Sequence, residues 1–294
     1  MMTMSMPELS RRSILWMLLG FAIALPGLTP GLSADEPVRK ILVVSDEPEE
    51  VPAIRKCVEE AGFAVDWVGQ ADWSKDRAPN ALVDDMREYE TVLNYVHKPL
   101  LPPVEIAMID YCNAGGRMLV LHHAISSSKM QNPKWLEFLG VRLYPRDHAE
   151  HPWYVSGSVT YTMVCLAPDH YIAQHDVKYD RTVEYSSTDR PAYNGRRKAF
   201  DIPDTEIFHN QRLDDDKNRV LLFGYMRNPA EGEKTPASVP LTEDSAGWLK
   251  PTGKGLIIYL QAGHANADYL NPNFAQVIDN CLNWPDHLEK EEAR

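Results

Sequence analysis

Two histidines stand just beyond apolar runs of the kind that form buried strands. Arg117-Met118-Leu119-Val120-Leu121 leads straight into His122 and His123, and Gly255-Leu256-Ile257-Ile258-Tyr259-Leu260 is followed by Gly263-His264. A single histidine in such a place is ordinarily a hydrogen-bonded structural residue. Two at the carboxyl ends of parallel strands fall on one side of a sheet, where ligands bind, so residues far apart in sequence can meet there. Imidazole titrates near neutrality and can move a proton on or off a hydroxyl or beside a carbonyl. In its neutral form it also suits zinc or a similar divalent ion, particularly with a carboxylate alongside. No HExxH-type local spacing occurs, so any metal ligands have to converge through the fold.

The elements needed to position these residues are legible. Lys40 to Ser45 is a short apolar run, as expected for a strand buried on both faces. Val51, Ile54, Val58 and Ala61 recur at helical spacing between Pro48 and Ala61, and Gly62 supplies the stop. Ala64 to Val68 is a second strand, which completes a βαβ unit. A third strand is expected over Glu90–Val96 and a helix over Pro103–Asn113, ended by Gly115-Gly116. This alternation predicts an α/β fold with a doubly wound, mostly parallel sheet and helices on both faces. From about Arg142 to Arg219 the alternation fades, with a strand expected over Trp153–Cys165, and the stretch reads as an elaboration of the same domain. A strand follows over Arg219–Tyr225, then a surface excursion from Asn228 to Ser245, and a closing helix from Pro272 to about Trp284. Residues 286–294 read as a solvated, charged tail.

Composition narrows the partners. The chain of 294 residues is 44% hydrophobic and carries a formal charge of −12, with its basic residues scattered. That excludes a basic nucleic-acid surface and favours a neutral or polar small molecule. Ser10-Arg11-Arg12-Ser13-Ile14-Leu15 opens an apolar run that is broken at Pro26-Gly27 and closes near Leu32-Ser33-Ala34. Residues 1–34 therefore resemble a twin-arginine export signal, which predicts a periplasmic or secreted protein with no stable membrane span after its removal. The alternative is an uncleaved N-terminal anchor, for which the run is short. Cys57, Cys112, Cys165 and Cys281 show no short paired spacing and read as buried free thiols.

The two histidine segments are where the chain resembles the ThuA-like (trehalose utilisation) family. Members carry a GG-x-hydrophobic-LH-x-A element, matched by Gly115 to Ala124. They also carry a W…GKG-hydrophobic run ending in GH and followed by an N-P-x-F helix. Here that element reads Trp248, Gly253-Lys254-Gly255, Gly263-His264 and Asn271-Pro272-Asn273-Phe274. Between them, Asp169-His170-Tyr171-Ile172 resembles a DHPI-like turn and Thr205-Glu206-Ile207-Phe208 a DELY-like segment. Tyr171, Thr205 and Phe208 depart from the family's proline, aspartate and tyrosine, so only Glu206 transfers from the acidic pair, with Asp204 beside it. The resemblance spans residues 40 to 284, within a domain expected over 35–285.

That resemblance implies a class I glutamine amidotransferase-like, flavodoxin-like fold and work on a sugar such as trehalose or an oxidised 3-keto-glycoside. The turn that would hold an amidotransferase's cysteine reads Leu121-His122-His123-Ala124-Ile125, which excludes cysteine-dependent acyl chemistry. Ser126, Ser127 and Ser128 lack elbow glycines and do not replace that cysteine. The expected site has His122, His264 and Glu206 as acid/base residues and His123, His170, His209 and Trp248 as substrate-binding residues. A divalent metal such as zinc is an open possibility, with His122, His264 and Glu206 as its ligands and His170 and His209 as further candidates. Two functional readings follow: a sugar-acting hydrolase, lyase or isomerase, or a non-catalytic carbohydrate-binding accessory protein with the same pocket.

Overall fold

The computed structural model describes residues 38–292 except 188, 215–217 and 229–235, and leaves the side chains of 285–292 undescribed. The export signal expected over residues 1–34 lies outside the described residues, as do the last two residues of the tail. The chain begins with β1 (Lys40–Ser45), α1 (Ala53–Glu60), β2 (Ala64–Gly69), α2 (Gln70–Trp73), α3 (Pro79–Met86), β3 (Thr91–Asn94), α4 (Pro102–Asn113) and β4 (Arg117–Leu121). It continues through α5 (Pro133–Leu139), β5 (Val141–Arg142), β6 (Tyr154–Cys165), α6 (Tyr171–Gln174), β7 (Arg181–Tyr185), β8 (Gly195–His209) and β9 (Arg212–Leu213). The remaining elements are β10 (Val220–Arg227), β11 (Thr242–Thr252), β12 (Gly255–Leu260), α7 (Asn266–Tyr269) and α8 (Pro272–Glu292). The helix expected from Pro48 begins only at Ala53, because the residues after β1 are drawn into a turn in which Ser45 Oγ donates to the Glu47 carbonyl. The last helix continues past Trp284 to Glu292.

Ten strands form one sheet in the order β2-β1-β3-β4-β12-β11-β10-β6-β8-β7. The first five run parallel and carry the doubly wound core. From β11 onward every neighbour is antiparallel. Along the parallel strands alternate residues enter two separate hydrophobic clusters. Ile41, Val43, Leu119, Leu121, Ile258 and Leu260 face one, and Leu42, Val44, Met118, Val120, Ile257 and Tyr259 the other. Two buried faces explain why these strands read as continuous apolar runs. Phe274, Val277, Ile278 and Cys281 of α8 complete the first cluster, and Val104, Ala107, Met108 and Tyr111 of α4 the second.

The elaborated middle proves to be the antiparallel wing of the same sheet. Its strand β11 begins inside the stretch that reads as a surface excursion, because Thr242-Glu243-Asp244-Ser245 is polar. Asp244 and Ser245 are nevertheless buried, and Asp244 accepts hydrogen bonds from Tyr185 (2.7 Å) and Ser187 (2.6 Å). Polar strand residues with internal partners give no apolar signal. All four cysteines are buried and free. Burial pushes the Cys57 thiol up to about 11 and that of Cys281 to about 12. Among the described residues no helix is long and apolar enough to cross a membrane.

The second glycine of the GKG segment, Gly255, has no room for a side chain, since a Cβ there would strike the carbonyl oxygens of Cys112 and Gly116 where β12 passes the end of α4. Gly255→Ala is expected to lower stability by about 1–3 kcal/mol in urea denaturation, the usual cost of overpacking. Wild-type stability in that variant would show that the α4–β12 junction yields freely.

Candidate functional site

The parallel register fixes where the two distant histidines go. Leu260 pairs with Leu121, so the residues just beyond them, Gln261 and His122, lie side by side at the carboxyl edge. His122 turns there with φ of 38°, an uncommon conformation for a residue with a side chain, and opens a short 3₁₀ turn over His122–Ile125. Its Nδ1–H donates to the Gln261 carbonyl at 2.5 Å. That bond fixes the tautomer, leaving the Nε2 lone pair directed away from the ladder.

His264 arrives through a different device. Gly263 has φ of 111°, and a Cβ at that position would lie 2.5 Å from the Tyr269 hydroxyl. Asp268 Oδ2 accepts from the Gly263 N–H (3.1 Å), the His264 N–H (2.7 Å) and Thr205 Oγ1 (2.6 Å). Tyr95 donates to the His264 carbonyl at 2.8 Å. The ring centroids of His122 and His264 are 5.3 Å apart. Thr205, where the family pattern has an aspartate, thus binds the carboxylate of Asp268.

Glu206 comes from the antiparallel wing. The β6–β8 ladder changes register twice between Ser156 and Tyr161, and Ser158 and Asp204 both have φ of 52°. Such bulges bend a strand pair, and the end of β8 returns to the carboxyl edge, where the Gln261 side chain donates to the Phe208 carbonyl at 3.0 Å. Glu206 and Phe208, two apart on one strand face, both meet His122: Phe208 stacks on its ring at 4.4 Å, and Glu206 Oε2 lies 3.7 Å from its Nε2. Glu206 Oε2 is also 3.2 Å from His264 Nδ1.

His123 completes the group, 4.3 Å from His122 and 5.4 Å from His264 between ring centroids. One donor atom each from His122, His123, Glu206 and His264 lie within 4.8 Å of one another, a cage that could hold a metal ion. Burial pushes the His123 imidazole far down, reinforced by its imidazole neighbours. Burial likewise lowers His264, and His122 beside Glu206 holds that carboxyl below its usual range. The group opens into a cavity of about 340 Å³ lined by His97, Trp153, Phe208 and Ser126 to Ser128.

His97 was not apparent among the candidate residues, although it follows the expected third strand as His122 follows the fourth. It stacks on His123 at 4.2 Å. Asp46 Oδ2 accepts from the backbone of His97 (3.1 Å) and Lys98 (2.8 Å). The fully buried Lys129 ammonium donates to the carbonyls of Val96 (2.9 Å), His97 (3.1 Å), Lys98 (2.7 Å) and His123 (3.3 Å). It clamps the loops after β3 and β4 together.

Three expected substrate contacts lie elsewhere. His170 caps α6, its Nδ1 accepting from the Ile172 N–H, and packs on Trp284. Trp248 is fully buried between Tyr259 and the Arg219 guanidinium. His209, at the end of β8, is fully buried and bonded to Tyr225 (2.7 Å) and Ser156 (3.0 Å). Neighbours along β8 point to opposite faces, so Phe208 meets His122 while His209 turns the other way.

These features define a doubly wound α/β protein with a histidine and carboxylate site at the carboxyl ends of adjacent parallel strands. The chain belongs to the ThuA family, described as trehalose utilisation, whose model matches residues 40–285. Membership implies a role in trehalose utilisation or wider carbohydrate metabolism. Among solved structures, a protein described as thua-like from Parabacteroides merdae is similar, with a TM-score of 0.58 and 11% identity over 84% of this chain and 90% of that one. Another so described, from Bacteroides uniformis, gives 0.54 and 16% identity over 87% and 94%. At these identities the likeness is one of fold. No curated protein matches the chain.

Replacing Lys129 with Met removes the donor shared by four carbonyls and is expected to lower stability by about 3 kcal/mol in urea denaturation; an unchanged midpoint would refute the clamp. Tyr225 donates to Glu243, and the Asn210 N–H does so at 2.8 Å, yet burial pushes the Glu243 carboxyl up to about 7. A carboxyl raised on folding contributes stability that is full below its unfolded pKa and is lost as pH rises through the folded value. Between pH 5 and 7.5 the wild-type melting temperature should therefore fall relative to that of Glu243→Gln. Parallel curves for the two proteins would count against it.

Proposed function

We propose that this chain is an exported enzyme of carbohydrate metabolism that binds a sugar, trehalose-like or oxidised to the keto form, in the His97–His264 cavity and works on it by acid–base chemistry. The observation that carries the reading is that Glu206 and His264 line a small-molecule cavity with their facing oxygen and nitrogen 3.2 Å apart, while His122, buried behind them, faces the same carboxylate oxygen at 3.7 Å. Proton removal beside a carbonyl, or proton delivery to a departing oxygen, needs such paired groups within reach of one substrate. The cavity lies in the usual range of roughly 300–1,000 Å³ for small-molecule sites, and Trp153 and Phe208 offer flat apolar surface to a sugar ring. The serine hydroxyls at its rim suit sugar hydroxyls. Family membership supplies the substrate class, and the twin-arginine-like residues 10–15 support export.

The test is turnover of a panel of α- and β-linked disaccharides and their 3-keto derivatives by the purified protein. His122→Asn, which tolerates the positive φ, and Glu206→Gln should each lower kcat by at least about 100-fold, the scale of a general acid or base. Wild-type turnover in both variants would overturn the catalytic assignment. If no glycoside is converted but one raises the melting temperature of the wild type alone, the site belongs to a binding protein.

A further inference from the structure

We infer that His122, His123, Glu206 and His264 form a binding site for a divalent first-row transition-metal ion, with His123, expected from the sequence as a substrate-binding residue, as a ligand. The argument starts from hydrogen bonds that are missing. His122 Nε2, His123 Nδ1 and His264 Nδ1 are all shielded from solvent, and none has a hydrogen-bond partner among the described residues. His122 is fully buried and His123 is 8% exposed. Buried polar atoms are nearly always paired, and each one left unmade costs about 1–3 kcal/mol. Three such nitrogens around one point are a cluster, not an isolated defect.

A proton does not relieve the cluster. With His122 Nδ1–H committed to the Gln261 carbonyl, Nε2 faces Glu206 Oε2 at 3.7 Å, too long for a hydrogen bond. A proton shared between His264 and Glu206 would still leave His122 Nε2 and His123 Nδ1 facing inward without a donor. One small cation among the four lone pairs satisfies all of them at once. Zinc bonds nitrogen at about 2.0–2.1 Å, so the donors, now within 4.8 Å of one another, need to close in by only roughly 1 Å.

The donor set chooses the metal class. Three imidazoles and one carboxylate suit zinc, manganese, iron, cobalt or nickel, whereas calcium and magnesium prefer all-oxygen shells. The surroundings resemble those of a built metal site: a backbone carbonyl fixes the tautomer of His122, Asp268 anchors the backbone of His264, and His97 stacks on His123. The cavity beside His123, Glu206 and His264 leaves a side from which a sugar oxygen could approach. The inference deepens the carbohydrate reading of the same site, but its evidence and its test need no sugar.

The experiment is titration of the chelator-treated full chain with Zn²⁺, Mn²⁺, Fe²⁺, Co²⁺ and Ni²⁺, followed by calorimetry and by the visible absorption of the cobalt form. Folding is checked by circular dichroism. The wild type should take up close to one equivalent of at least one ion and give cobalt bands of nitrogen and oxygen ligation. His122→Asn, His123→Ala and Glu206→Gln should each weaken binding at least about 10-fold, while His175→Gln, an exposed imidazole outside the cluster, should not. A folded wild type that binds none of the five ions overturns the inference, as does binding of equal strength in the cluster variants. Sugar turnover by a wild type that binds none of the five ions overturns the metal site alone. A protein that binds metal through these residues but ignores every sugar upholds the site and overturns only the carbohydrate reading.

Discussion

The bond from His122 Nδ1–H to the Gln261 carbonyl is the contact on which the rest of the site depends. It forms where the β4–β12 ladder ends, so a backbone acceptor that would have continued the sheet is used to orient an imidazole. The left-handed turn at His122 that permits it carries a strain of about 1–3 kcal/mol, tolerated because the surrounding core over-determines the position. Gln261 also joins the separate parts of the fold. Its N–H donates to Ala246 of β11, and its side-chain amide donates to Phe208 of β8 and to Gln211. One residue thereby ties the parallel core, the antiparallel wing and the carboxyl edge of the sheet together.

Around that contact the protein concentrates buried charge and hydrogen bonding where its apolar packing stops. The strand interiors are aliphatic and buried on both faces. Immediately beyond their ends come Asp46, His97, Lys129, His122, Gln261 and Asp268, each committed to backbone or side-chain partners from another element. Loops held in this way are stiff. Pre-organised polar groups in a low-dielectric setting act more strongly on a ligand than the same groups in water. The turn after β4 carries His122, and all four cysteines are buried and free, with burial raising the pKa of each thiol.

The antiparallel wing supplies the carboxylate of the site. Its strands extend the sheet far from the parallel edge, and the two bulged positions bring the end of β8 back over it. Without that return Glu206 would stay on the far side of the sheet, and the imidazoles would lack their carboxylate. The departures from the family pattern become intelligible in the same terms. Thr205 bonds to Asp268 in place of a second acid at the site, and Phe208 stacks on His122.

The local rules acting on this sequence determined the parallel half of the sheet, its helices and the positions of His122 and His264. Apolar runs with clear ends suffice where both faces of a strand are buried, and a histidine just past such a run has one place to go. His97 obeyed the same rule and was legible in principle. Tertiary structure alone decided the rest. It placed His123 among the converging nitrogens, put His209 and Trp248 on the inward side of their strands and made His170 a helix cap. It also folded polar β11 into the middle of the sheet. The physical reason is that strand pairing over long separations, and the bulges that bend a ladder, depend on which backbone groups find partners. That is a property of the assembled sheet, and no window of neighbouring residues contains it.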